Sequence, residues 1–525
     1  MHRLVQKSIV CENHLDFVFL CACARSIRHF VMALLRKASF SYGSIFRRFA
    51  TSSGCTIYSL SSGHVKCGVS VIRVSGPQTK QALRAIVNNT EYEPKQRQAY
   101  LKSFFHPATK DVIDKGLLLW FPGPASFTGE DACEFQVHGS LAVIAAMLDA
   151  LGQVPGLRPA QPGEFTKRAF FGGKLDLTEV EGLADLIHAE TEAQRKQALL
   201  QSTGALARLY DNWRKRLIRC CAHLEAYIDF AEEEQIEGGV ILQLTKELNA
   251  IMRDIRLHLN DQRQGELLRD GVRTVIIGAP NVGKSSLLNL LCQRSVSIVT
   301  AQAGTTRDII ETTHNFGGYP VVFADTAGLR KQTTDAIEVE GMARAKQCLA
   351  QSDLILLLTD ARRLREVNSN EALPTHIESY LQELDIPQEL CDGKRLQLVA
   401  NKTDTLTEEE CQSLSKLENV LTLSCHKQDN LPQFLGSLEQ LLQQLCGTPQ
   451  AEHPRITHMR YRQQLERCIE HIEIFLRDYK PDVYPDMAIA AQQLRKSIRC
   501  IERITGHVSC EDILDVVFKD FCIGK

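Results

Sequence analysis

Fourteen residues, Arg273 to Ser286 (RTVIIGAPNVGKSS), restrict what this chain can fold into more than any other stretch. An apolar run reads as a buried strand, and Gly278, Gly283, Lys284 and Ser285 follow in G-x-x-x-x-G-K-[ST] spacing. The glycines let a loop fold back so that its N–H groups face a phosphate chain. The lysine reaches the outer phosphates and the serine hydroxyl can ligate Mg²⁺. Leu287, Leu288, Leu290 and Leu291 continue at helical spacing, which completes the strand, loop and helix that a nucleoside-triphosphate cradle requires. Its candidate contacts are Asn281, Val282, Gly283, Lys284, Ser285 and Ser286.

Two later matches say which nucleotide. Val321, Val322 and Phe323 form a short apolar strand that delivers Asp325-Thr326-Ala327-Gly328. There a carboxylate can hold the Mg²⁺ water shell and a glycine N–H can sense a γ-phosphate. Leu396 to Ala400 leads into Asn401-Lys402-Thr403-Asp404. The N-K-x-D order resembles the guanine-reading loop of G proteins, whose Asp accepts from both the N1 and the N2 donors of the base. Adenine offers neither, so the loop selects GTP.

The chain of 525 residues is long enough for three or four domains. With 44% hydrophobic residues, 24% charged residues and a net charge of −2, its composition marks neither a nucleic-acid binder nor a membrane protein. Any RNA contact therefore comes from local patches. The 18 cysteines include no C-x-x-C pair and read as reduced thiols, not as a disulfide framework or a zinc site.

No acidic residue occurs between Asp16 and Glu91, while Arg25, Arg28, Arg36, Lys37, Arg47 and Arg48 are interspersed with Ser, Phe and Leu. Residues 1–52 are expected to be a mitochondrial transit peptide, with Met32 a second possible start. The apolar run Phe17 to Ala24 is too short to span a bilayer, and no transmembrane segment is expected. From Thr56 the chain reads as short strands: Thr56 to Leu60, Cys67 to Gly76, Gly116 to Phe121 and Glu134 to Val137. With a helix over Leu141 to Leu151, these imply an α+β domain over 53–173.

Helical periodicity covers Lys174 to Glu237, with a long stretch from Leu199 to Phe230, and continues over Ile241 to Leu268. It resumes at Tyr461 to Leu476, Met487 to Ile504 and Glu511 to Phe521. Two helical blocks, 174–270 and 450–525, thus flank a nucleotide domain over 271–449 and are expected to pack as one discontinuous domain. The overall expectation is a multidomain α/β protein with an N-terminal α+β domain, a discontinuous helical domain and an inserted Ras-like P-loop G domain. Arg214-Lys215-Arg216 and Arg460 with Arg462 are candidates for RNA phosphate contact, against the plainer reading of a solvated face.

CGVSVIRVSGP, LWFPGPASFTGEDACEFQVHGS, PGEFTKRAFFGGKLDLTEVEGLADLI, GAPNVGKSSLLN, AGTTRD, DTAGLR and the terminal FCIGK together resemble the MnmE/TrmE family of tRNA-modification GTPases, in its mitochondrial branch. The similarity covers Thr56 to Lys525. It implies an N-terminal domain that binds folate and forms a homodimer. It also implies work with an FAD-containing MnmG/GidA-type partner on C5 of the wobble uridine of mitochondrial tRNA in the matrix, with 5-taurinomethyluridine the expected product. The implied cofactors are GTP, Mg²⁺, K⁺ and 5,10-methylenetetrahydrofolate, or alternatively 5-formyltetrahydrofolate.

The family's folate contacts fall on Arg73, Glu134, Lys174 and Lys525. Leu329 stands where Ras-type enzymes carry a water-orienting glutamine, and an apolar side chain cannot do that work. The resemblance gives the role to Glu338, with Glu340 near enough in the loop to compete. It places K⁺ on Asn281 and on Thr300, Gln302 and Thr305 of the Val299 to Thr306 loop, and Mg²⁺ on Ser285 and Thr306. Ser424 would support the base beside Asp404. Cys522 is implied to be a functional thiol, whether covalent or positioning. A ribosome-assembly GTPase of the Era/EngA kind is the alternative, since it shares the G motifs but needs neither the folate block nor the FCIGK tail.

Overall fold

The structure, a computed structural model, describes residues 54–63, 65–230, 239–294, 296–298, 313–323, 346–365, 367, 369–450, 452–478, 487–508, 517–518, 521 and 524. They fall into two compact units. One runs to Leu175 and includes the chain end from Asp512; the other is Asp176–Glu511.

In the first unit, β1 (Thr56–Leu60), β2 (Cys67–Ser75), β3 (Tyr100–Phe105), β4 (Val112–Phe121), β5 (Ala132–Gly139) and β6 (Leu157–Pro159) pair in the order β3-β4-β5-β2-β1-β6. All neighbours are antiparallel except β1 and β6. Strand alternation sets the two faces. Ile72, Val74, Leu118, Trp120, Phe135 and Val137 enter a core closed by α1 (Thr79–Val87) and α2 (Leu141–Gly152). Arg73, Glu134 and Leu119 lie in one cross-strand row on the opposite face. There Phe165 of α3 (Glu164–Phe171) is buried with Ile57 and Ala160. The apolar run Gly116 to Phe121 is only the second half of β4. Its first half carries Asp114 and Lys115, which conceal the strand from a reading based on hydrophobic runs.

The second unit opens with α4 (Leu177–His188), α5 (Glu192–Ser202) and α6 (Ala205–Phe230), followed by α7 (Gly239–Leu259) and α8 (Gln264–Asp270). Asp176 with Glu179, and Thr191 with Gln194, form capping boxes that satisfy the first N–H groups of α4 and α5. The periodic stretch Leu199 to Phe230 is interrupted at Gly204, whose φ of +83° turns the chain between α5 and α6.

Next comes a sheet in the order β13-β12-β11-β7-β10-β9-β8, from β7 (Val272–Ile277), β8 (Val296–Ile298), β9 (Thr313–Phe316), β10 (Tyr319–Phe323), β11 (Leu354–Asp360), β12 (Arg395–Asn401) and β13 (Val420–Thr422). From β13 to β10 it is parallel, and β11 is buried along its whole length, as a strand covered on both faces must be. One face is covered by α8, α9 (Lys284–Arg294) and α12 (Leu431–Cys446). The other is covered by α10 (Ala372–Glu383) and α11 (Glu408–Leu414).

After the sheet, α13 (Met459–Asp478) and α14 (Met487–Thr505) return to the helices that precede it. Tyr210, Trp213 and Leu217 of α6, Leu248 and Ile251 of α7, Tyr461 and Leu465 of α13, and Leu494 and Ile501 of α14 share one buried core. The nucleotide-type sheet is therefore inserted in a discontinuous helical domain. No helix among the described residues is long and apolar enough to cross a membrane.

In the clusters weighed above as phosphate contacts or a solvated face, each basic side chain pairs with a carboxylate, the arginines partly buried and Lys215 mostly exposed. Arg460 pairs with buried Glu181 at 2.9 Å, and Arg462 bridges Asp261 at 2.5 Å and Glu266 at 3.0 Å. Arg214 pairs with Glu502 at 3.0 Å, Arg216 with Glu247 and Asp254 at 2.6 Å, and Lys215 with Asp211 at 2.6 Å. Carboxylates brought in by the fold neutralise these charges, and most of the arginines are partly buried with their partners.

One histidine in this core carries a pH dependence. His258 Nε2 lies 3.1 Å from the Tyr210 hydroxyl. Burial pulls the His258 pKa from 6.5 down to about 4, against the raising effect of Asp261. Its folded value lies below its unfolded one, so the unfolded chain takes up the proton first. Stability is then lost as pH falls from about 6.5 towards 4, by about 3 kcal/mol in all. Urea denaturation at pH 7 and pH 4.5 should show this loss, and His258→Gln should reduce it by that amount.

Candidate functional site

β7 feeds straight into the glycine loop. A Cβ on Gly278 would collide with the Leu358 carbonyl of β11, so the chain can turn there only without a side chain. Asn281 takes a left-handed φ of +61° and Gly283 one of +103°. A Cβ on Gly283 would strike the Asn401 amide. That amide ties three loops together: Nδ2 donates to the Val282 carbonyl at 2.7 Å, and Oδ1 accepts the Cys425 N–H at 3.0 Å. Lys284, the first residue of α9, arches over the loop and donates to the Gly278 and Ala279 carbonyls, both at 2.8 Å. Burial holds its pKa below the usual lysine value. Ser285 and Ser286 follow in the first turn of α9, where unpaired N–H groups favour an anion.

The end of β12 places Asn401, Lys402 and Asp404 beside the loop after β13. Ser424 Oγ donates to Asp404 Oδ1 at 2.6 Å and accepts the Lys427 N–H at 3.1 Å, which fixes the carboxylate's direction. The Ser424 hydrogen bond, helped by the charges of Lys427 and His426, holds the Asp404 pKa below its ordinary value. Lys402, at φ +66°, extends to Asp360 with Nζ 3.3 Å from Oδ2.

Sequence reasoning missed Tyr380 of α10. Its hydroxyl accepts the Ala279 N–H at 2.8 Å and donates to the Leu358 carbonyl at 2.9 Å, pinning the glycine loop to β11. Nothing around Tyr380 in the sequence marks it, because the contact spans 101 residues.

A second constellation lies on the face of the first unit's sheet opposite α1 and α2. Arg73 and Glu134 are register partners on β2 and β5. Arg73 Nε and Nη2 donate to Glu134 Oε1 at 3.0 and 2.9 Å. The Arg73 guanidinium lies 5.5 Å from the Phe127 ring centre and 5.8 Å from that of Phe165. Lys174 Nζ donates to the Pro124 carbonyl at 2.9 Å, so it reaches the same loop that carries Phe127. That loop is braced from below. Ser75 Oγ contacts Thr128 Oγ1 at 2.7 Å and donates to Glu130 Oε2 at 2.9 Å, and Arg168 spans Glu130 at 2.9 Å and Glu164 at 3.1 Å. Phe127, Phe165, Thr128, Glu130, Glu164 and Arg168 lie in the FTGED and PGEFTKRAFF blocks and Ser75 in CGVSVIRVSGP, but no spacing singles them out.

Arg73, Glu134 and Lys174 are thus brought to one region, and Asn281, Val282, Gly283, Lys284, Asn401, Asp404 and Ser424 to another. Thr300, Gln302, Thr305, Thr306, Asp325, Thr326, Ala327, Gly328, Glu338, Cys522 and Lys525 lie outside the described residues, as do residues 1–52.

Two family models match: the GTP-binding protein TrmE N-terminus over residues 56–174 and the MnmE helical domain over residues 177–522. The chain is 47% identical to the mitochondrial 5-taurinomethyluridine-tRNA synthase subunit GTPB3 of Danio rerio, over 95% of this chain and 100% of that protein. It is 46% identical to the Homo sapiens protein of that name, over 91% and 94%. It is 45% identical to the tRNA modification GTPase MnmE of Parvibaculum lavamentivorans, over 90% and 100%. Among solved structures, Era in complex with MgGDPNP and a 16S ribosomal RNA fragment covers 40% of this chain and 68% of that one, at 23% identity and a TM-score of 0.21. A glycine loop bolted to an N-K-x-D loop within a split helical domain, and matches that run almost end to end through both, place the chain in the MnmE/TrmE family.

Proposed function

We propose that this protein is a GTPase acting in mitochondrial tRNA modification. With an FAD-containing MnmG/GidA-type partner it installs the C5 substituent, 5-taurinomethyl, on the wobble uridine of tRNAs in the matrix. The observation that carries this reading is the presence in one chain of a guanine-type nucleotide site and of a polar, aromatic-walled site on the N-terminal sheet. The relatives' names agree with it.

In the nucleotide site, Lys284 would leave the Gly278 and Ala279 carbonyls for the outer phosphates of GTP. The turn at Gly283 has room for backbone alone, which suits a loop wrapped around phosphate. Asp404, oriented by Ser424, would accept from guanine N1 and N2. Mg²⁺ would be held by Ser285 and Thr306, with Asp325 beside its water shell. K⁺ would be held by Asn281, Thr300, Gln302 and Thr305, supplying positive charge at the transferring phosphoryl group. Glu338 would orient the attacking water.

In the N-terminal site, Glu134 uses Oε1 for both Arg73 bonds, and Oε2 accepts none among the described residues. That oxygen can take a pterin N–H, Phe127 offers a face to stack on, and Arg73, Lys174 and Lys525 suit a ligand carrying carboxylates. A tetrahydrofolate one-carbon unit, methylene or formyl, fits this donor set, with Cys522 acting beside it. The proposed domain limits are 1–52 for the transit peptide, 53–173 for a dimerising folate domain, 174–270 and 450–525 for the helical domain, and 271–449 for the G domain.

The test is mass spectrometry of mitochondrial tRNA from cells carrying Lys284→Ala or Cys522→Ser. Both variants should lose the C5 substituent. Normal modification in both would defeat the reading, as would a ribosomal-subunit defect with modification intact. Exchange of KCl for NaCl should suppress GTP turnover by the purified protein.

A further inference from the structure

The pairing of β7 with β11 ends at Ile277 and Leu357. Beyond it the strands part, since Gly278 turns into the glycine loop while β11 continues to Asp360. The Tyr380 hydroxyl bridges the gap. By accepting the Ala279 N–H at 2.8 Å and donating to the Leu358 carbonyl at 2.9 Å, it supplies from a side chain the rung that the two backbones no longer make. Neither backbone group is left unpaired at the base of the loop.

The ring that carries this hydroxyl is itself held. Tyr380 is 2% exposed and shares a core with Ile277 and Leu357, the last paired residues of the two strands. On its outer side the Arg363 guanidinium, from the turn after β11, lies 5.4 Å from the ring centre. Glu383, one helical turn beyond Tyr380 in α10, accepts from Arg363 at 2.7 and 3.0 Å and keeps the guanidinium there. The two sides of Ala279 are therefore tied differently. Its carbonyl accepts from Lys284, a bond given up when the lysine moves to phosphate, whereas its N–H is tied to Tyr380, which has no reason to move.

We propose that Tyr380, held by Arg363, is a positioning residue for the phosphates of GTP. It keeps the first peptide of the glycine loop in its receiving shape while Lys284 transfers from the loop's carbonyls to the nucleotide. The inference rests on the functional reading above, in which this loop receives GTP. A loop ordered in advance does not have to be ordered at the moment of binding. The hydroxyl therefore acts on affinity and not on the chemical step, because bound phosphates hold the loop once they are in place.

The experiment uses the purified full chain. Tyr380→Phe keeps the ring and removes the hydroxyl, and should weaken GDP and GTP binding and raise KM for GTP, each about tenfold, with kcat at saturating GTP unchanged. In the nucleotide-free variant the Ala279 amide should exchange with deuterium faster by a similar factor. Preference for GDP over IDP, which lacks the N2 donor, should stay as in the wild type, because Ser424 and not Tyr380 aims Asp404. Arg363→Gln leaves the hydroxyl and frees only the ring, and should raise KM about twofold. A lower melting temperature with unchanged Kd would make Tyr380 merely structural and overturn the proposal. So would a fall in kcat at unchanged KM, a loss of the GDP preference, or an Arg363→Gln protein with the wild-type KM. Lys284→Ala separates the two claims. If it binds GTP as the wild type does, the reading of this loop fails whatever Tyr380 does; if it binds weakly while Tyr380→Phe behaves as wild type, the positioning role fails and the reading stands.

Discussion

Asp404→Asn is expected to lower the affinity for GTP by about a thousandfold and to raise that for xanthosine triphosphate. The Asp404 carboxylate is acceptor-only and is aimed by the 2.6 Å bond from Ser424. Facing guanine it would take two charge-assisted hydrogen bonds, from N1 and N2. In the variant, one of the two positions becomes an NH₂ group that meets a donor head-on, and the charge is gone. With hydrogen bonds to charged groups contributing about 1.5–3 kcal/mol each, the loss comes to about 4 kcal/mol, or three decades in Kd. Xanthine carries a carbonyl where guanine carries its amine, and the new NH₂ can donate to it. Titration of the purified variant with fluorescent GTP and XTP analogues checks both halves. Equal GTP affinity in variant and wild type would remove Asp404 from base recognition. Ser424→Ala should weaken GTP in the same direction but less, because it frees the carboxylate without changing its chemistry.

The second large effect concerns stability. Arg460→Ala is expected to destabilise the helical domain by about 3–5 kcal/mol, because it leaves a buried carboxylate without its cation. Glu181 is 4% exposed, and burial pushes its pKa up against the pull of Arg460. Both Arg460 bonds to it measure 2.9 Å, and the Tyr461 hydroxyl donates to it as well. Gln201 lies next in the chain of contacts, 3.4 Å from that hydroxyl and 3.0 Å from the Thr178 carbonyl. The double variant Arg460→Ala with Glu181→Gln should recover part of the loss, since it removes the stranded charge. Denaturant midpoints of the three variants measure this directly. A loss below about 1 kcal/mol, the range of exposed pairs, would mean that water reaches Glu181.

These two cases also show why one part of the molecule can be read from the sequence and another cannot. The phosphate and base loops are legible because their chemistry needs particular residues a few positions apart, each behind an apolar strand. Asn401 could be named from N-K-x-D, although its bond to Val282, 119 residues away, could not. Arg460 and Arg462 read as a solvated face, or at most as phosphate contacts, when only their neighbours in sequence are considered. Their partners Glu181 and Asp261 lie 279 and 201 residues away, and only the fold brings them together. Arg73 and Glu134 are likewise partners through strand register, which no local pattern encodes. The long helices were legible through their periodicity. The break at Gly204 was less so, because the apolar spacing carries through it and only the backbone turns.

Helices α6 and α7 share their core with α13 and α14, yet about two hundred residues separate Leu259 from Met459. On a ribosome, the first pair emerges with its apolar faces uncovered and stays so until the whole nucleotide-binding segment has been made. A nascent chain in that interval exposes Leu217, Leu248 and Ile251 without their final neighbours, and is a client for chaperones. Slowing translation between α12 and α13 should therefore lower the soluble yield more than an equal pause placed after α14.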